Sequence, residues 1–328
     1  MSTYPFTRLR RTRASDWSRR LVSESVVMRN DLIWTIIITD AKEKRTSIPS
    51  MPGVDRVNLD EVVSEAKKAR DLGIPAIALF PNINPKYKSD CASEALNPNG
   101  LIPKAVSAIK AAVPDLGIIV DVALDPYTTH GHDGLIEDNK ILNDASVEIL
   151  AQSAVILGKA GADIVAPSDM MDGRVASIRE SLERAQLSDV MIMSYAAKYA
   201  SSFYGPYRNA IGTSSSLVGD KRTYQMDPAN SDEALREVEQ DIIEGADMIM
   251  IKPGMPYLDI IKRIKDEFRM PTYAFQVSGE YSMLKAVSQN KWLDEKKIVM
   301  ESLTSFKRAG CDGILTYFAP QVADWLNH

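Results

Sequence analysis

Residues 241–254 read DIIEGADMIMIKPG, and residues 156–169 read ILGKAGADIVAPSD. In both stretches a helical pattern ends at Gly, a small residue and Asp follow, and a short apolar run comes next. A glycine that ends a helix in the left-handed conformation, followed by an apolar run, is typical of a helix that turns into a parallel strand buried on both faces. Residues 67–81 and 306–320 show the same order of helix, Gly and apolar run. The repeat therefore predicts alternating strands and helices.

Four further apolar runs raise the number of predicted strands to eight, and helical patterns separate them. These strands are predicted at residues 31–40, 117–124, 189–195 and 271–279. The helices are predicted at residues 59–72, 145–160, 175–185, 232–244, 257–268 and 294–308. Because no GxGxxG turn follows the first strand, the pattern favours a closed barrel over an open doubly wound sheet. We predict an α/β fold, a (β/α)8 TIM barrel at residues 31–328 with an extended N-terminal arm at residues 1–30.

The composition of the 328-residue chain is that of a globular protein, with 45% hydrophobic and 25% charged residues. A net charge of −5, with basic residues spread along most of the chain, argues against nucleic acid binding. The longest apolar run, residues 32–38, is far shorter than the about 20 residues that span a bilayer, so no membrane partner is expected. Cys91 and Cys311 fit neither a disulfide framework nor a thiolate zinc site, which favours a reducing cytoplasm.

The one strong charge bias lies near the N-terminus, where residues 8–20 read RLRRTRASDWSRR. This segment could be a targeting peptide, a tail that binds a polyanion, or an arm that docks on another subunit. No apolar stretch follows it, as a signal peptide requires, and Asp16, Glu24 and Asp31 are uncharacteristic of a transit peptide. We therefore favour the docking arm and a cytoplasmic protein, with the plastid stroma as the alternative if the segment is a remnant transit peptide.

Two lysines follow predicted strands, at the end of the barrel where such folds carry their catalytic groups. Lys252 directly follows the apolar run MIMI, and Lys198 comes shortly after the fifth strand. A free lysine, with a pKa of about 10.4, is neutral in roughly one molecule in 2,500 at pH 7, so an amine that attacks a carbonyl must be buried or placed beside another cation. If the two lysines are close, each lowers the pKa of the other. Position alone favours two ordinary solvated lysines.

The sequences around the two lysines change this interpretation. They are SYAAKYASSFYGPYR at residues 194–208 and MIMIKPGMPYLD at residues 248–259. Both closely resemble the Schiff-base lysine motifs of the porphobilinogen synthase (5-aminolaevulinate dehydratase) family. The resemblance continues through SMPGVDR at 50–56, DVALDPYTTHGHDG at 121–134, GDKRTYQMDPAN at 219–230, QVSGEYSM at 276–283 and ILTYF at 314–318. It implies a hydro-lyase that condenses two molecules of 5-aminolaevulinate to porphobilinogen with loss of two waters, in tetrapyrrole (haem and chlorophyll) biosynthesis.

The resemblance also implies which residues form the active site. Lys252 corresponds to the lysine that holds the first-bound substrate as an imine, and Lys198 to the lysine that holds the second. A site that orients two carboxylates needs fixed hydrogen-bond donors. The resemblance places Ser278 and Tyr317 at the first carboxylate, and Arg208 and Lys221, with Gln225 nearby, at the second. Further substrate contacts are implied at Asp121, Asp125, Phe203 and Tyr204.

The loop at residues 121–134 departs from the zinc-dependent members of that family. Three cysteines of those members are replaced here by Ala123, Asp125 and Asp133, so no catalytic zinc is expected. Asp125 and Asp133 could bind a hard cation in the active site, polarise substrate or handle protons, and the sequence does not choose among these roles.

Glu237 matches the glutamate that binds an allosteric Mg2+ between subunits, through water, in magnesium-stimulated members of the family. Mg2+ is therefore the expected metal, and Asp169 is a weaker candidate for the surroundings of the same ion. His130 and His132 lack a third soft ligand, so we interpret them as hydrogen-bonded residues that shape the mouth of the site.

The resemblance further implies a homo-octamer assembled through the N-terminal arm. Residues 199–221 form a long segment rich in Gly and Ser, which predicts a lid that closes over substrate. Two alternative functions remain open at this point. One is a Schiff-base aldolase in which only Lys252 is catalytic and Lys198 is electrostatic. The other is a non-catalytic binding or assembly protein that kept the barrel.

Overall fold

The computed structural model describes residues 3–211, 217 and 219–327 of the chain. Its strands are β1 (Leu32–Thr39), β2 (Arg45–Ser47), β3 (Asp55–Val57), β4 (Ala76–Asn82), β5 (Gly117–Val122), β6 (Leu135–Glu137), β7 (Lys140–Leu142), β8 (Ile164–Pro167), β9 (Met191–Lys198), β10 (Met248–Lys252), β11 (Thr272–Phe275) and β12 (Gly313–Thr316). Eight of them pair in parallel in the order β1, β4, β5, β8, β9, β10, β11, β12, and β12 pairs with β1. The predicted closed barrel is confirmed.

The helices surround this barrel. They are α1 (Asp16–Leu21), α2 (Leu59–Asp71), α3 (Leu101–Ala112), α4 (Asn143–Ala160), α5 (Arg174–Arg184), α6 (Gly205–Ile211), α7 (Asp232–Ile243), α8 (Leu258–Phe268), α9 (Ser278–Gln289), α10 (Glu295–Ala309) and α11 (Ala319–Asn327). All six predicted helices are confirmed, with ends that differ by no more than two residues. The structure adds α1, α3, α6, α9 and α11, which the sequence patterns did not predict.

The Gly-small-Asp repeat has a physical explanation at the amino-terminal end of the barrel. Gly310 ends α10 with φ 111°, and an added Cβ there would lie 2.8 Å from Cγ of Lys265. The carboxylate of Asp312 accepts the backbone N–H of Thr272 at 2.7 Å and pairs with Lys265 at 2.6 Å. The glycine therefore makes room for the lysine stem, and the aspartate ties one strand to the next. The other instances are Asp163 with Lys110 and the amide of Ile118, and Asp247 with Arg179 and the amide of Ile192.

Two strand ends differ from the prediction by three or more residues. β9 continues to Lys198, three residues past the predicted end at residue 195, because a register shift between Ile249 and Ile251 lets β10 pair with this extension. Lys198 is thus the last residue of its strand rather than a loop residue. β11 ends at Phe275 rather than at residue 279, and Ser278 begins α9. The apolar pattern hid this boundary because Val277 is buried although it precedes the helix.

The N-terminal segment before the barrel is only partly helical. A 3-10 helix covers Leu9–Arg13, α1 follows, and β1 begins at Leu32. Several of its apolar side chains are exposed, which is unusual unless a partner covers them. They are Tyr4, Phe6, Leu9, Trp17, Leu21, Val22, Val26 and Met28. Across the described residues, no helix combines the length and the apolar character needed to cross a membrane.

Candidate active site

Two buried lysines face each other across neighbouring strands of the barrel. Lys198 and Lys252 are the last residues of β9 and β10, and they are partners in the register of this parallel pair. Each is only 5% exposed. The structure therefore rejects the interpretation of two solvated loop lysines, and it confirms that the two are close.

Aromatic rings surround the amine of Lys252. Its Nζ lies 4.6 Å from the ring centre of Phe275, 5.0 Å from that of Tyr195 and 5.2 Å from that of Tyr207. Burial and the neighbouring charge of Lys198 lower the pKa of Lys252 to about 7. At pH 7 about half of such amines are unprotonated, whereas an exposed lysine is almost entirely protonated. Lys252 is therefore equipped to act as a nucleophile.

Lys198 has a polar environment instead. Its Nζ donates to the backbone carbonyl of Ser168 and lies 3.5 Å from a carboxylate oxygen of Asp133. Asp133 also pairs with Lys221 at 2.7 Å. Burial raises the pKa of Asp133, but the two ammonium groups outweigh it and hold the pKa at about 2. This carboxylate is thus ionised across the physiological range and supplies a fixed negative charge beside Lys198.

The second ion pair of Lys221 involves Asp125. Nζ of Lys221 lies 3.2 Å from Oδ2 of Asp125, and both side chains are almost fully buried. The two carboxylates raise the pKa of Lys221 although burial lowers it. Asp125 and Asp133 therefore already share one ammonium group as their counter-ion.

Asp121 lies in β5 rather than after it. Burial raises its pKa to about 7, against the opposing charge of Lys252. Its Oδ1 is buried and has no hydrogen-bond partner within the described part of the chain. A carboxyl group that is half protonated near neutral pH can both give and take a proton, so Asp121 is suited to proton transfer beside Lys252.

One cavity is lined by both predicted catalytic lysines and by five of the predicted substrate-binding residues. It is lined by Asp125, Gly131, Lys198, Tyr204, Tyr207, Arg208, Leu217, Lys221, Gln225 and Lys252. Its volume is about 30 Å³, which is space for about one water and far below the roughly 300 Å³ of ordinary ligand sites. The site is therefore closed in this structure and must expand to admit substrate.

Two predicted carboxylate-binding residues do not line that cavity. The Ser278 hydroxyl accepts the backbone N–H of Tyr207 at 2.8 Å and donates to the Phe203 carbonyl at 3.4 Å. The Tyr317 hydroxyl is buried without a hydrogen-bond partner among the residues described. Its ring centre lies 6.1 Å from that of Phe275, which contacts Lys252. Ser278 is thus engaged by the segment carrying Phe203, whereas Tyr317 is available as a donor.

The structure describes only part of the predicted lid. Residues 212–216 and 218 lie outside the described residues. The part that precedes them contains a 3-10 helix, Ser202–Tyr204, and α6. The Tyr204 hydroxyl donates to the carbonyl of Lys252 at 3.1 Å, so this segment is attached directly to the end of β10.

The two histidines of the 121–134 loop belong to a hydrogen-bonded mouth, as expected from the sequence. Nδ1 of His132 lies 3.0 Å from the Tyr224 hydroxyl, which also accepts the backbone N–H of Asp133 at 3.3 Å. Burial lowers the pKa of His130. The hydrogen bonds of Tyr224 hold the loop that places Asp133 beside Lys198 and Lys221.

Glu237 and Asp169 both interact electrostatically with a buried arginine, Arg174. Nε of Arg174 is 3.8 Å from Asp169, and its Nη1 is 2.9 Å from Asp241. Burial raises the pKa of Asp169 to about 6 and also raises the pKa of Glu237, while the charge of Arg174 opposes both shifts. Glu237 lines a cavity of about 290 Å³, and Asp169 does not line it.

Sequence reasoning missed several residues of the site. Tyr195 and Tyr207 lie within the motif at residues 194–208, from which Lys198, Phe203, Tyr204 and Arg208 alone were assigned to the site. Glu280 is the third residue of α9, where glutamate commonly accepts the N–H of the residue before the helix. Because Val277 stands where that capping pattern has Ser or Thr, the sequence carried no signal for Glu280. Arg174 and Ser168 carried no distinguishing signal.

The chain is similar to known proteins over almost its whole length. A family model described as delta-aminolevulinic acid dehydratase matches residues 6–325. The delta-aminolevulinic acid dehydratase of Bradyrhizobium diazoefficiens is 59% identical over 319 residues, which cover 97% of this chain and 90% of that protein. The protein of the same name from Rhodobacter capsulatus is 52% identical over 320 residues, covering 98% and 96% of the two chains.

A solved structure shows the same fold. It is the delta-aminolevulinic acid dehydratase (porphobilinogen synthase) of Toxoplasma gondii in complex with its reaction product porphobilinogen. It is 48% identical, covers 97% of this chain and 91% of its own, and superposes with a TM-score of 0.95.

Proposed function

Because the chain belongs to the delta-aminolevulinic acid dehydratase family, we propose that Lys252 and Lys198 each bind one molecule of 5-aminolaevulinate as an imine. The enzyme is a hydro-lyase that condenses two molecules of 5-aminolaevulinate to porphobilinogen with loss of two waters, a step of tetrapyrrole biosynthesis. The geometry of this chain supports different roles for the two lysines.

The burial of Lys252 among aromatic rings and beside Lys198 is the observation that carries the proposal. A buried lysine with a pKa of about 7 supplies a free amine at neutral pH, and this amine attacks the ketone carbon of the first substrate. The resulting carbinolamine loses its hydroxyl as water when a proton is donated to that oxygen. Asp121, with a pKa of about 7 and an electrostatic interaction with Lys252, is the carboxyl group suited to donate it.

Lys198 is the proposed second imine lysine. The carboxylate of Asp133 and the carbonyl of Ser168 orient its amine toward the same cavity that Lys252 reaches. Two imine-bound substrates in one cavity are held close, which lowers the entropic barrier to forming the carbon-carbon and carbon-nitrogen bonds between them.

The carboxylates of the two substrates require separate donors. Arg208, Lys221 and Gln225 line the cavity and can receive the second carboxylate. The buried Tyr317 hydroxyl, without a hydrogen-bond partner in the described chain, supports its role at the first carboxylate. Ser278 can join it once the backbone of Phe203 and Tyr207 moves away, and the same movement enlarges the cavity.

Borohydride trapping with labelled 5-aminolaevulinate tests the two lysines directly. Reduction of the imines fixes the label, and digestion followed by mass spectrometry locates it. We expect adducts at both lysines in the unmodified protein, none at either lysine in Lys252→Met, and one at Lys252 alone in Lys198→Met. Trapping that is unchanged in Lys252→Met would contradict the proposal. Formation of a pyrrole that reacts with Ehrlich reagent measures the complete reaction.

We propose that Mg2+ binds at Glu237 and acts allosterically. The cavity of Glu237 also contains Asp172 and Glu233, and carboxylate oxygens are the ligands that a hard cation prefers. Within the described residues no three acidic, His or Cys side chains converge as a complete metal site, so water molecules would supply further ligands. When bound, the ion supplies positive charge between subunits.

A cation at Asp125 and Asp133 does not fit their environment. Lys221 pairs with both carboxylates, and Lys198 lies beside Asp133. A metal ion there would have to displace an ammonium group that is itself almost fully buried. We therefore assign these carboxylates as counter-ions of Lys221 and Lys198. No step of the proposed reaction involves an active-site metal.

We also propose that the protein assembles as a homo-octamer through its N-terminal arms. The exposed apolar side chains of the arm support this, because a second subunit would remove them from water. The proposed compartment is the cytoplasm, to which two unbridged cysteines are suited. A similar protein from the moss Physcomitrium patens is named as chloroplastic, so the plastid stroma stays the alternative.

A further inference from the structure

We infer that Glu280 is a positioning residue for Lys252: its carboxylate joins the loop after β10 to the start of α9 and thereby fixes the reactive amine. This inference rests on the proposed function, because it concerns how Lys252 is held for imine formation. Glu280 has no assigned role in the reaction, and its side chain is not among those that line the cavity.

The hydrogen bonds of Glu280 connect two loops that are distant in sequence. Oε2 accepts the backbone N–H of Val277 at 2.5 Å and that of Gly254 at 3.4 Å, and Oε1 accepts the backbone N–H of Met255. Val277 directly precedes α9, while Gly254 and Met255 follow Lys252 by two and three residues. One side chain therefore ties the loop after the imine lysine to the helix that begins at the neighbouring strand.

A carboxylate is the side chain that this place requires. Glu280 is 0% exposed, and three N–H groups point at its two oxygens. Burial raises the pKa of Glu280, and the three N–H donors oppose the shift by stabilising the ionised form. An amide would accept with one atom only and would direct its own N–H groups at the remaining donors. Burial of an ionised acid is unfavourable in free energy. The fold retains Glu280 nevertheless, because a neutral side chain could not accept the N–H groups of both loops.

The loop after Lys252 is closely packed as well as hydrogen-bonded. An added Cβ at Gly254 would lie 2.3 Å from the ring of Phe306 and 3.2 Å from the carbonyl oxygen of Phe275. This loop therefore packs closely against Phe306 and Phe275, and the hydrogen bonds of Glu280 hold it there. Phe275 also contacts the amine of Lys252, so the position of the loop and the position of the amine depend on the same residues.

The start of α9 holds the other side of the cavity in the same way. An added Cβ at Gly279 would lie 2.4 Å from the carbonyl oxygen of Phe203, and Ser278 accepts the N–H of Tyr207. Tyr207 lines the cavity beside Lys252. Through three consecutive residues, α9 therefore fixes both the imine lysine and the segment that closes over it.

The test compares the rate of trapping at Lys252 between variants, all carrying Lys198→Met so that Lys252 alone forms an adduct. Glu280→Gln keeps the size of the side chain and removes acceptors, so we expect trapping at Lys252 to slow by on the order of ten- to a hundredfold. The adduct ratio, defined as the rate of trapping at Lys252 divided by the rate in Lys198→Met alone, should fall by that factor. Glu280→Asp retains the charge but is shorter by one methylene group, and it should restore the ratio in part. It also serves as the folded variant should Glu280→Gln not fold.

A stability control separates positioning from general destabilisation. Asp294 caps α10 by accepting the N–H of Lys297 at 2.9 Å, and it lies outside the cavity. Asp294→Ala should lower the unfolding midpoint without changing the adduct ratio. If folded Glu280→Gln and Glu280→Asp, each carrying Lys198→Met, trap substrate at Lys252 at the rate of Lys198→Met alone, the positioning role is wrong. If the unmodified protein gives no adduct at Lys252, the proposed function itself fails, and the inference with it.

Discussion

Lys198 and Lys252 are register partners at the ends of two adjacent parallel strands, and both reach one buried cavity. Two like charges in such a place are unfavourable, so one amine tends to lose its proton. The environments decide which amine this is. Lys252 lies among aromatic rings, whereas Lys198 has the carboxylate of Asp133 and the carbonyl of Ser168. The reactive free amine is therefore Lys252.

This relationship predicts the effect of removing the charge of Lys198. In Lys198→Met the pKa of Lys252 should rise from about 7, by on the order of one unit, because a neighbouring positive charge is lost while Asp121 remains. The pH at which Lys252 becomes reactive should move upward by the same amount. The measurement is the rate of borohydride trapping at Lys252 from pH 6 to about pH 10.4, the ordinary lysine value.

Lys198→Arg is the matched control, because it keeps the positive charge and cannot form an imine. Its trapping profile at Lys252 should stay close to that of the unmodified protein. Identical profiles for the Met and Arg variants would show that burial alone lowers the pKa of Lys252.

The fold could be predicted because its signals are local. A helix that ends at glycine and a run of apolar residues are properties of neighbouring residues, and the three Gly-small-Asp turns proved to tie adjacent strands together. The end of β9 was misplaced because it depends on a register shift in another strand, which no local pattern encodes. The start of α9 was missed because a buried valine precedes it.

The site could be predicted only in part, for a related reason. The lysines were identified by the motifs around them, and their burial then agreed with the proposed chemistry. The pairing of Lys221 with both Asp125 and Asp133 joins residues about ninety positions apart in sequence, so the sequence left a cation at these carboxylates open. The neutralisation of these carboxylates by a distant lysine depends on the folded structure, and no local sequence pattern encodes it.

Removal of metal should test the role of Glu237. We expect EDTA to lower the activity, Mg2+ to restore it, and Zn2+ not to replace Mg2+, because the acidic cavity offers oxygen ligands. Glu237→Gln should abolish the response to Mg2+. Glu239→Gln, an exposed change on the same helix, should leave the response intact. Full activity in EDTA for the unmodified protein would show that no magnesium is needed.

Deletion of residues 1–20 should break the assembly. The arm exposes Phe6 and Leu9 at about four-fifths of their surface, and burial of each on a partner contributes about 1.5–3 kcal/mol. The deleted protein should sediment as a smaller species, and Phe6→Ser with Leu9→Ser should weaken the octamer in the same direction. Tyr87→Ser, at an exposed position outside the arm, is the control. An unchanged octamer after the deletion would contradict the arm's role.

Gly310→Ala should destabilise the protein more than Gly173→Ala. Both glycines have positive φ, 111° and 77°, so either substitution costs about 1–2 kcal/mol for the left-handed conformation. An added Cβ at Gly310 would also lie 2.8 Å from the stem of Lys265, whereas nothing lies within 4 Å at Gly173. Displacement of Lys265 would weaken its ion pair with Asp312, which holds β11 through Thr272. Urea unfolding followed by circular dichroism measures the two losses, and equal losses would show that the lysine moves aside without cost.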